Sequence, residues 1–204
     1  ATAGTYTLTY SATDSAGNEA TTVTRAVTVA DTIAPVIALT GAGSISHEQG
    51  TIYTDEGASA TDSVDGSVSV TTTGTVDVTT AETYTLTYTA TDSAGNVATA
   101  TRTVIVTDSA APTITLIGAS SINHEQGTSY TDEGASASDI ADGSVSVTTT
   151  GTVDTTTAGT YTLTYSATDS AGNAATVVTR TVIVADTIAP VITLSGSASV
   201  NHEQ

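Results

Sequence analysis

The sequence predicts an all-β protein built from tandem antiparallel β-sandwiches, and two features carry this prediction. The 204-residue chain repeats itself, because His-Glu-Gln recurs at His47, His124 and His202, at intervals of 77 and 78 residues. An interval of that length is a small domain rather than a solenoid unit. Threonine is also the commonest residue, and β-branched residues at this density favour strands over helices.

One complete copy, which starts with the linker at residues 31–35, shows the elements in order. Pro35 stiffens that extended linker. Seven short segments then alternate apolar with polar residues or lie between turn residues, and we predict strands there: residues 37–39, 44–49, 53–61, 67–71, a segment near 76, 84–90 and the segment that ends at 106. The clearest is 84–90, in which every second residue is apolar. Asp-Gly and Gly-Asn sequences at residues 62–66 and 92–96 predict turns.

A tyrosine at a fixed place in each copy refines the sandwich. Tyr161 follows Gly159 and precedes Leu163 by two residues, which is the spacing of the tyrosine corner of immunoglobulin-like domains. Tyr84 and Tyr6 occupy the same position in the other copies. Leu163 stands where antibody domains have a cysteine, and the chain has none, so we expect an apolar core without disulfides. The predicted fold class is therefore all-β, with tandem immunoglobulin-like antiparallel β-sandwiches.

The last strand of the repeat occurs in two lengths. Arg25 and Arg180 lie 11 residues after the aspartate of the preceding turn, whereas Arg102 lies ten residues after its own. A one-residue insertion inverts every later side chain of a strand unless a bulge absorbs it. We therefore predict a β-bulge between Asn18 and Arg25, and another between Asn173 and Arg180.

The repeat interval also predicts the domain boundaries. Residues 1–31 are the second part of a repeat, 32–108 and 109–186 are two complete repeats, and 187–204 are the first part of the next. We therefore expect the chain to be an excerpt of a longer array. Tandem arrays of this kind usually provide reach, spacing or multivalency rather than chemistry.

Charge excludes several classes of partner. The net charge is −18, with three arginines and 21 acidic residues. Nucleic acid and anionic membrane surfaces are excluded, because both bind clusters of positive charge. No apolar run approaches the ~20 residues that cross a bilayer. The negative charges of the chain repel one another, and we expect bound cations to offset this repulsion, with divalent cations as the obvious candidates.

Several of these segments together resemble a known family. The stretches Ala-Pro-Val-Ile, Tyr-Thr-Asp-Glu-Gly-Ala and Thr-Ala-Thr-Asp-Ser-Ala-Gly-Asn-Val-Ala-Thr, with the Asp-Gly turn before Ser-Val-Ser-Val, resemble a bacterial surface-protein Ig-like repeat. Such repeats form long arrays in giant adhesins and are distantly similar to hyalin and cadherin-like repeats. The resemblance covers the whole chain and implies an extracellular, secreted or cell-surface β-sandwich. It does not identify what the full protein binds.

Acidic residues suggest one candidate metal site in each repeat. In the usual sandwich topology, the linker and the two turns share one end of the domain, which gathers carboxylates and an amide there. Calcium prefers six to eight oxygen ligands. The alternative is that Asp, Asn and Gly are simply good turn residues. The candidate calcium ligands are Asp14, Asn18, Asp31, Asp62, Asp65, Asp92, Asn96, Asp108, Asp139, Asp142, Asp169 and Asn173.

Other polar residues give weaker candidates. Glu48, Asp55 and Glu56 form a second acidic group, which we interpret as a solvated loop rather than a cation site. Arg102 and its equivalents are in phase with inward valines, so each either pairs with an acid or lies beyond the core, since an unpaired buried guanidinium is costly. Each copy has one histidine, which is too few for zinc. No serine or threonine belongs to a recognisable catalytic motif.

These observations favour a structural, non-catalytic function. We expect a stalk of rigid modules that extends a distal binding domain or packs laterally with other copies into a fibre or sheath. The main alternative is a direct binding module whose loops recognise a glycan or a partner protein. Six of the eight tyrosines lie in the predicted Tyr-x-Leu-x-Tyr core strand, which disfavours an aromatic binding surface.

Overall fold

The computed structural model describes residues 2–203, and this range contains sixteen strands and no helix. Ala1 and Gln204, which begin and end the outermost predicted segments, lie outside the described residues. Contacts divide the chain into two compact units, one up to Thr107 and the other from Asp108.

The first unit holds a hairpin and one complete repeat. Its strands are Gly4–Tyr10 (β1), Val23–Val29 (β2), Val36–Leu39 (β3), Ser44–Glu48 (β4), Ala58–Asp62 (β5), Gly66–Val68 (β6), Val70–Thr73 (β7), Thr83–Thr91 (β8) and Val97–Thr107 (β9). Strands β1 and β2 pair in antiparallel fashion. Strands β3 to β9 form the first complete repeat, with one sheet in the order β3-β5-β6 and another in the order β4-β9-β8-β7.

The second unit contains the second complete repeat. Its strands are Thr113–Leu116 (β10), Ser121–Glu125 (β11), Ala135–Asp139 (β12), Gly143–Val145 (β13), Val147–Thr150 (β14), Gly159–Ala167 (β15) and Val178–Ala185 (β16). The sheets again have three and four strands, in the orders β10-β12-β13 and β11-β16-β15-β14. The predicted all-β sandwich is confirmed, and each complete repeat has seven strands. In the first complete repeat, the predicted segment 67–71 is divided between β6 and β7, which belong to different sheets.

One pairing in each repeat departs from the expected antiparallel pattern. Strand β4 runs parallel to β9, and β11 runs parallel to β16. The chain moves from the three-stranded to the four-stranded sheet through residues 40–43, between β3 and β4, without reversing its direction. Strand β4 therefore pairs with β9 in parallel orientation.

Two of the predicted strands differ from the structure, one because it begins later and the other because it does not form. Residues 53–57 of the predicted 53–61 strand are irregular, and so is the segment near 76. Gly74 begins that second segment with φ of 98°, and a Cβ there would lie 2.4 Å from the Thr85 carbonyl oxygen. Only glycine fits this close approach of two backbones, and the strand stops there.

The core follows the alternation seen in the sequence. Leu86, Tyr88 and Ala90 of β8 are buried, as are Val104 and Val106 of β9, while the intervening threonines lie on the other face. Side chains of a strand point alternately to its two faces. The predicted inward phase of this strand is therefore confirmed.

The predicted tyrosine corner is present in every copy. The Tyr84 hydroxyl donates to the Thr80 carbonyl oxygen at 3.1 Å, and the Tyr161 hydroxyl donates to that of Thr157 at 2.9 Å. Tyr6 makes the same bond four residues upstream. The bond ties the loop before the long strand to the strand itself.

The predicted bulges are also present. In the second complete repeat, Tyr165 pairs with Val178 and Thr168 pairs with Ala174. Two residues thus lie between these pairs on one strand and three on the other, so one extra residue is absorbed. The first hairpin shows the same offset, whereas β8 and β9 pair without interruption. The extra residue before β2 and before β16 therefore does not change which side chains of these strands face inward.

A buried ion pair corrects the interpretation of the second acidic group. Arg102 is fully buried and donates to Asp55 and to the Thr40 carbonyl oxygen. Asp55 also accepts a hydrogen bond of 2.7 Å from the Tyr88 hydroxyl. The expectation of a solvated loop is wrong for Asp55, because the guanidinium needs a partner in the core. Glu56 is exposed as expected.

The same arrangement recurs in the second unit, where Arg180 pairs with Asp132 and the Tyr165 hydroxyl donates a hydrogen bond to the same carboxylate. Burial raises the pKa of Tyr165 to about 12, and the bond to the Asp132 carboxylate acts in the same direction. Burial alone would raise the pKa of Asp132, but the bonds from Tyr165 and Arg180 outweigh it and hold that pKa below the ordinary value. The pair is therefore charged near neutral pH.

Candidate metal centre

Three aspartates converge where each complete repeat begins. In the first complete repeat, Asp31 comes from the linker, Asp62 from the end of β5 and Asp92 from the turn after β8. One carboxylate oxygen of each lies within 4.8 Å of the others. We call these three residues the carboxylate cluster, and the name also covers their equivalents in the second complete repeat, which are Asp108, Asp139 and Asp169.

Asp62 is held in place by the turn that it starts. Its Oδ1 accepts hydrogen bonds from the backbone amides of Val64 at 2.7 Å and Asp65 at 3.1 Å. These bonds lower the pKa of Asp62, so the side chain is ionised at neutral pH. Its other oxygen, Oδ2, is buried and has no hydrogen-bond partner, and the residue is only 9% exposed.

Asp92 and Asn96 join the second turn to the linker. The two oxygens of Asp92 accept hydrogen bonds of 2.7 Å each from the backbone and side-chain nitrogens of Asn96. The Asn96 amide nitrogen also donates to the carbonyl oxygens of Asp31 at 3.4 Å and Ile33 at 3.3 Å. The turn after β8 therefore holds the linker backbone against the repeat that follows it.

Asp31 completes the cluster from the linker side. Its Oδ1 accepts a hydrogen bond of 3.2 Å from the Ile33 amide, while its Oδ2 is buried without a partner. A small cavity of about 200 Å³ adjoins this residue and is lined by Val29, Ile33 and Val64, among others. The linker, the end of β2 and the turn after β5 therefore meet at one place.

The second complete repeat reproduces this geometry. Asp139 Oδ1 accepts from the amides of Ala141 and Asp142, and its buried Oδ2 has no hydrogen-bond partner. Asp169 accepts from both nitrogens of Asn173, at 2.7 and 2.9 Å. Burial raises the pKa of Asp169, but the bonds from Asn173 outweigh it and lower the pKa overall. Asn173 also donates to the Asp108 carbonyl oxygen at 3.3 Å.

Some predicted ligands lie outside the cluster. Asp65 accepts hydrogen bonds of 2.6 and 2.8 Å from the backbone nitrogen and hydroxyl of Ser93, and Asp142 binds Ser170 in the same way. These carboxylates join the two turns to each other. No sequence pattern singles out the two serines, although each directly follows a cluster aspartate.

Asp14 and Asn18 form the equivalent turn of the first hairpin. The Asp14 carboxylate accepts bonds from the Ala16 amide and from both nitrogens of Asn18, and these lower the pKa of Asp14. Both residues are exposed. Among the described residues, neither belongs to a group of converging acids.

The chemistry of the cluster follows from its charge. Within the described range, Arg102 and Arg180 pair with Asp55 and Asp132, which lie outside the carboxylate cluster. Three like charges so close together repel one another. An oxygen-only set of carboxylates is the kind of site that binds hard divalent cations.

Comparison with known proteins shows limited similarity to solved structures. The chain is similar to CBM51-2 with INT domains of Clostridium perfringens ZmpB (23% identity, TM-score 0.31, covering 41% of this chain and 20% of that one). It is also similar to the M60 catalytic domain with CBM51-1 and CBM51-2 of the same protein (13%, 0.46, 86% and 33%) and to the protocadherin gamma B4 extracellular domain (16%, 0.34, 88% and 38%). The chain thus spans from a fifth to two fifths of the length of these structures.

Sequence comparison assigns the family. No curated protein sequence matches the chain. In the described part of the chain, no helix has the length and apolar character of a membrane span. The family model described as "Bacterial surface protein, Ig-like domain" matches residues 1–29, 37–106 and 114–184, in step with the three repeats. The chain therefore belongs to the bacterial surface protein Ig-like domain family.

Proposed function

We propose that this chain is a non-catalytic, extracellular spacer, a segment of a stalk that holds the adhesive domains of a bacterial surface protein away from the cell. Its family, whose members are bacterial surface proteins, supports the location. Its tandem repetition supports the spacing function, because an array of modules gives length without new chemistry.

The path of the chain through one repeat carries this proposal. Asn96 holds the linker at Ile33, so the repeat begins beside the turn that precedes β9. Strand β9 then runs from Val97 to Thr107, away from that turn, and the next linker follows. A strand of 11 residues spans roughly 36 Å. The two ends of a repeat therefore lie at opposite ends of the module, and each repeat adds length.

The short linkers support the same function. Five residues, 108–112, separate β9 from β10, and the linker before the first complete repeat is six residues long, 30–35. Each contains one proline, which restricts the backbone. The proposed partners of each repeat are its neighbours in the chain. We also propose calcium at the carboxylate cluster, because three carboxylates meet the linker there.

Small-angle X-ray scattering tests the spacer function. Residues 32–186 are duplicated to give chains with two, four and six complete repeats. The maximum dimension is expected to grow linearly, by roughly 36 Å for each repeat. Growth with the square root of repeat number, as for a flexible chain, would contradict the proposal.

The same samples distinguish the alternatives. A molecular mass that stays monomeric with rising concentration supports a spacer within one chain, and a mass that rises indicates assembly into a fibre. In the two-repeat chain, Asn173 holds the linker between the two repeats, so Asn173→Ala is the variant to compare. We expect it to keep its β-sheet circular dichroism and to lose its defined maximum dimension.

A further inference from the structure

Resting on the proposed spacer function, we propose that each carboxylate cluster is a calcium site that fastens the linker to the repeat that follows it. The ligands are Asp31, Asp62 and Asp92 in the first complete repeat. Their equivalents in the second are Asp108, Asp139 and Asp169. The site lies at the start of the repeat, and bound calcium strengthens the attachment of the linker there.

The buried oxygen of Asp62 is the observation that makes this more than a group of acids. Asp62 is nine-tenths buried, and its Oδ2 has no hydrogen-bond partner although Oδ1 has two. Buried polar atoms are normally satisfied, and an exception points to a missing partner. Asp31 Oδ2 and Asp139 Oδ2 are also buried and have no hydrogen-bond partner. A cation between the carboxylates satisfies these oxygens at once.

The hydrogen bonds around the cluster fix the orientation of its carboxylates. The amides of Val64 and Asp65 both donate to Oδ1 of Asp62, so its buried Oδ2 keeps its capacity to bind a ligand. Asn96 orients Asp92 through hydrogen bonds to both of its oxygens. The turns therefore arrange the ligands before any ion binds.

The donor set favours calcium among the common cations. All three side chains donate oxygen, and neither cluster contains a histidine. Zinc and other borderline cations prefer nitrogen or sulfur, whereas calcium takes six to eight oxygens in irregular geometry. Three carboxylates leave room for backbone carbonyls and water in that shell. Magnesium gives up its water reluctantly and is usually held by one or two carboxylates, so three converging carboxylates favour calcium.

The geometry also sets the number of ions. Asp65 and Asp142 are engaged by the serines of the neighbouring turn and are not ligands. Asp14 belongs to no converging group in the described residues. The chain therefore binds two calcium ions, one for each complete repeat.

Titration calorimetry and thermal melting of the full 204-residue chain test the proposal, with calcium chloride as the ligand after removal of metal by chelator. We expect two equivalents of calcium to bind. At a free calcium concentration tenfold above Kd, the melting temperature of each repeat should rise by roughly 6 to 11 °C.

The decisive variant is Asp62→Asn, and Asp65→Asn is its matched control. The two changes remove the same charge from the same turn. Asp62→Asn should lower the stoichiometry to one and abolish the calcium-dependent rise of its own repeat, while Asp65→Asn should keep two ions. Because the amides of Val64 and Asp65 bind the Asp62 carboxylate, its replacement also affects the melting temperature in chelator, so the quantity compared is the rise that calcium causes in each variant. Circular dichroism confirms that both variants are folded.

Three results would overturn the proposal. They are no calcium binding by the unchanged chain, an equal loss of binding in the two variants, and magnesium binding as tight as that of calcium. A calcium-dependent rise of the melting temperature that survives in Asp62→Asn would likewise assign the carboxylate a structural role only. The spacer function fails separately, through scattering dimensions that do not grow with repeat number, so the two failures are distinguishable.

Discussion

At the residue scale, a buried ion pair organises the core of each repeat. The sequence places Arg102 in phase with the inward valines. Two alternatives follow from this: the guanidinium pairs with an acid, or it lies beyond the core. The structure confirms the first alternative for Arg102 and Arg180. The sequence does not reveal which acid is the partner, because Asp55 is 47 residues away from Arg102 and belongs to an acidic segment that resembles a loop. Pairing over such distances is decided by the fold and leaves no local pattern.

Replacing Asp55 tests the importance of this pair. Asp55→Ala leaves the fully buried Arg102 guanidinium without its counter-ion. Removing one partner of a buried pair typically costs about 3 to 5 kcal/mol. We expect a loss of that size in the free energy of unfolding of the first complete repeat, measured by urea denaturation. The control Glu82→Ala removes an exposed acid and should change stability by less than about 0.5 kcal/mol. Equal effects of the two changes would show that the pair is not important.

At the element scale, strand periodicity was the most reliable guide. The alternation in β8 and the one-residue difference in the last strand correctly predicted the buried face and the bulges. The parallel pairing of β4 was not predictable, because alternation reports which face is buried and not which strand is the neighbour. The irregular residues 53–57 were missed because Asp55 turns towards Arg102, a tertiary contact that overrides local preference.

Removing one residue from the bulge tests its role. Thr176 lies in the bulge of the second complete repeat, between Ala174 and Val178. Without it the strand has the length of β9, which pairs regularly, so we expect the free energy of unfolding to change by less than about 1 kcal/mol.

Removing Thr181 instead is the matched control. That deletion turns Val182 and Val184 out of the core. Loss of two buried valines should cost roughly 3 to 6 kcal/mol. If removal of Thr176 were as costly as removal of Thr181, the extra residue would be part of the core register rather than a bulge.

At the scale of the whole molecule, the predicted function depends on how each module is connected to the next. The sequence brought the linker and the two turns to one end of the sandwich, and the structure places Asp31, Asp62 and Asp92 together there. The sequence does not distinguish the converging aspartates from the residues that support them. Asp65 and Asn96 also carry side-chain oxygens, and only the structure shows that they bind a serine and the linker.

We propose that each linker is held against the following repeat, so that neighbouring modules keep one orientation. Because the chain has no cysteine, spin labels can be attached at single sites. Thr85→Cys and Thr162→Cys place labels at exposed, equivalent positions in the two complete repeats. Pulsed electron–electron double resonance then measures the distance between them. We expect one narrow distance peak in calcium, and a broad distribution after Asn173→Ala releases the linker. A broad distribution in the otherwise unchanged chain would contradict it.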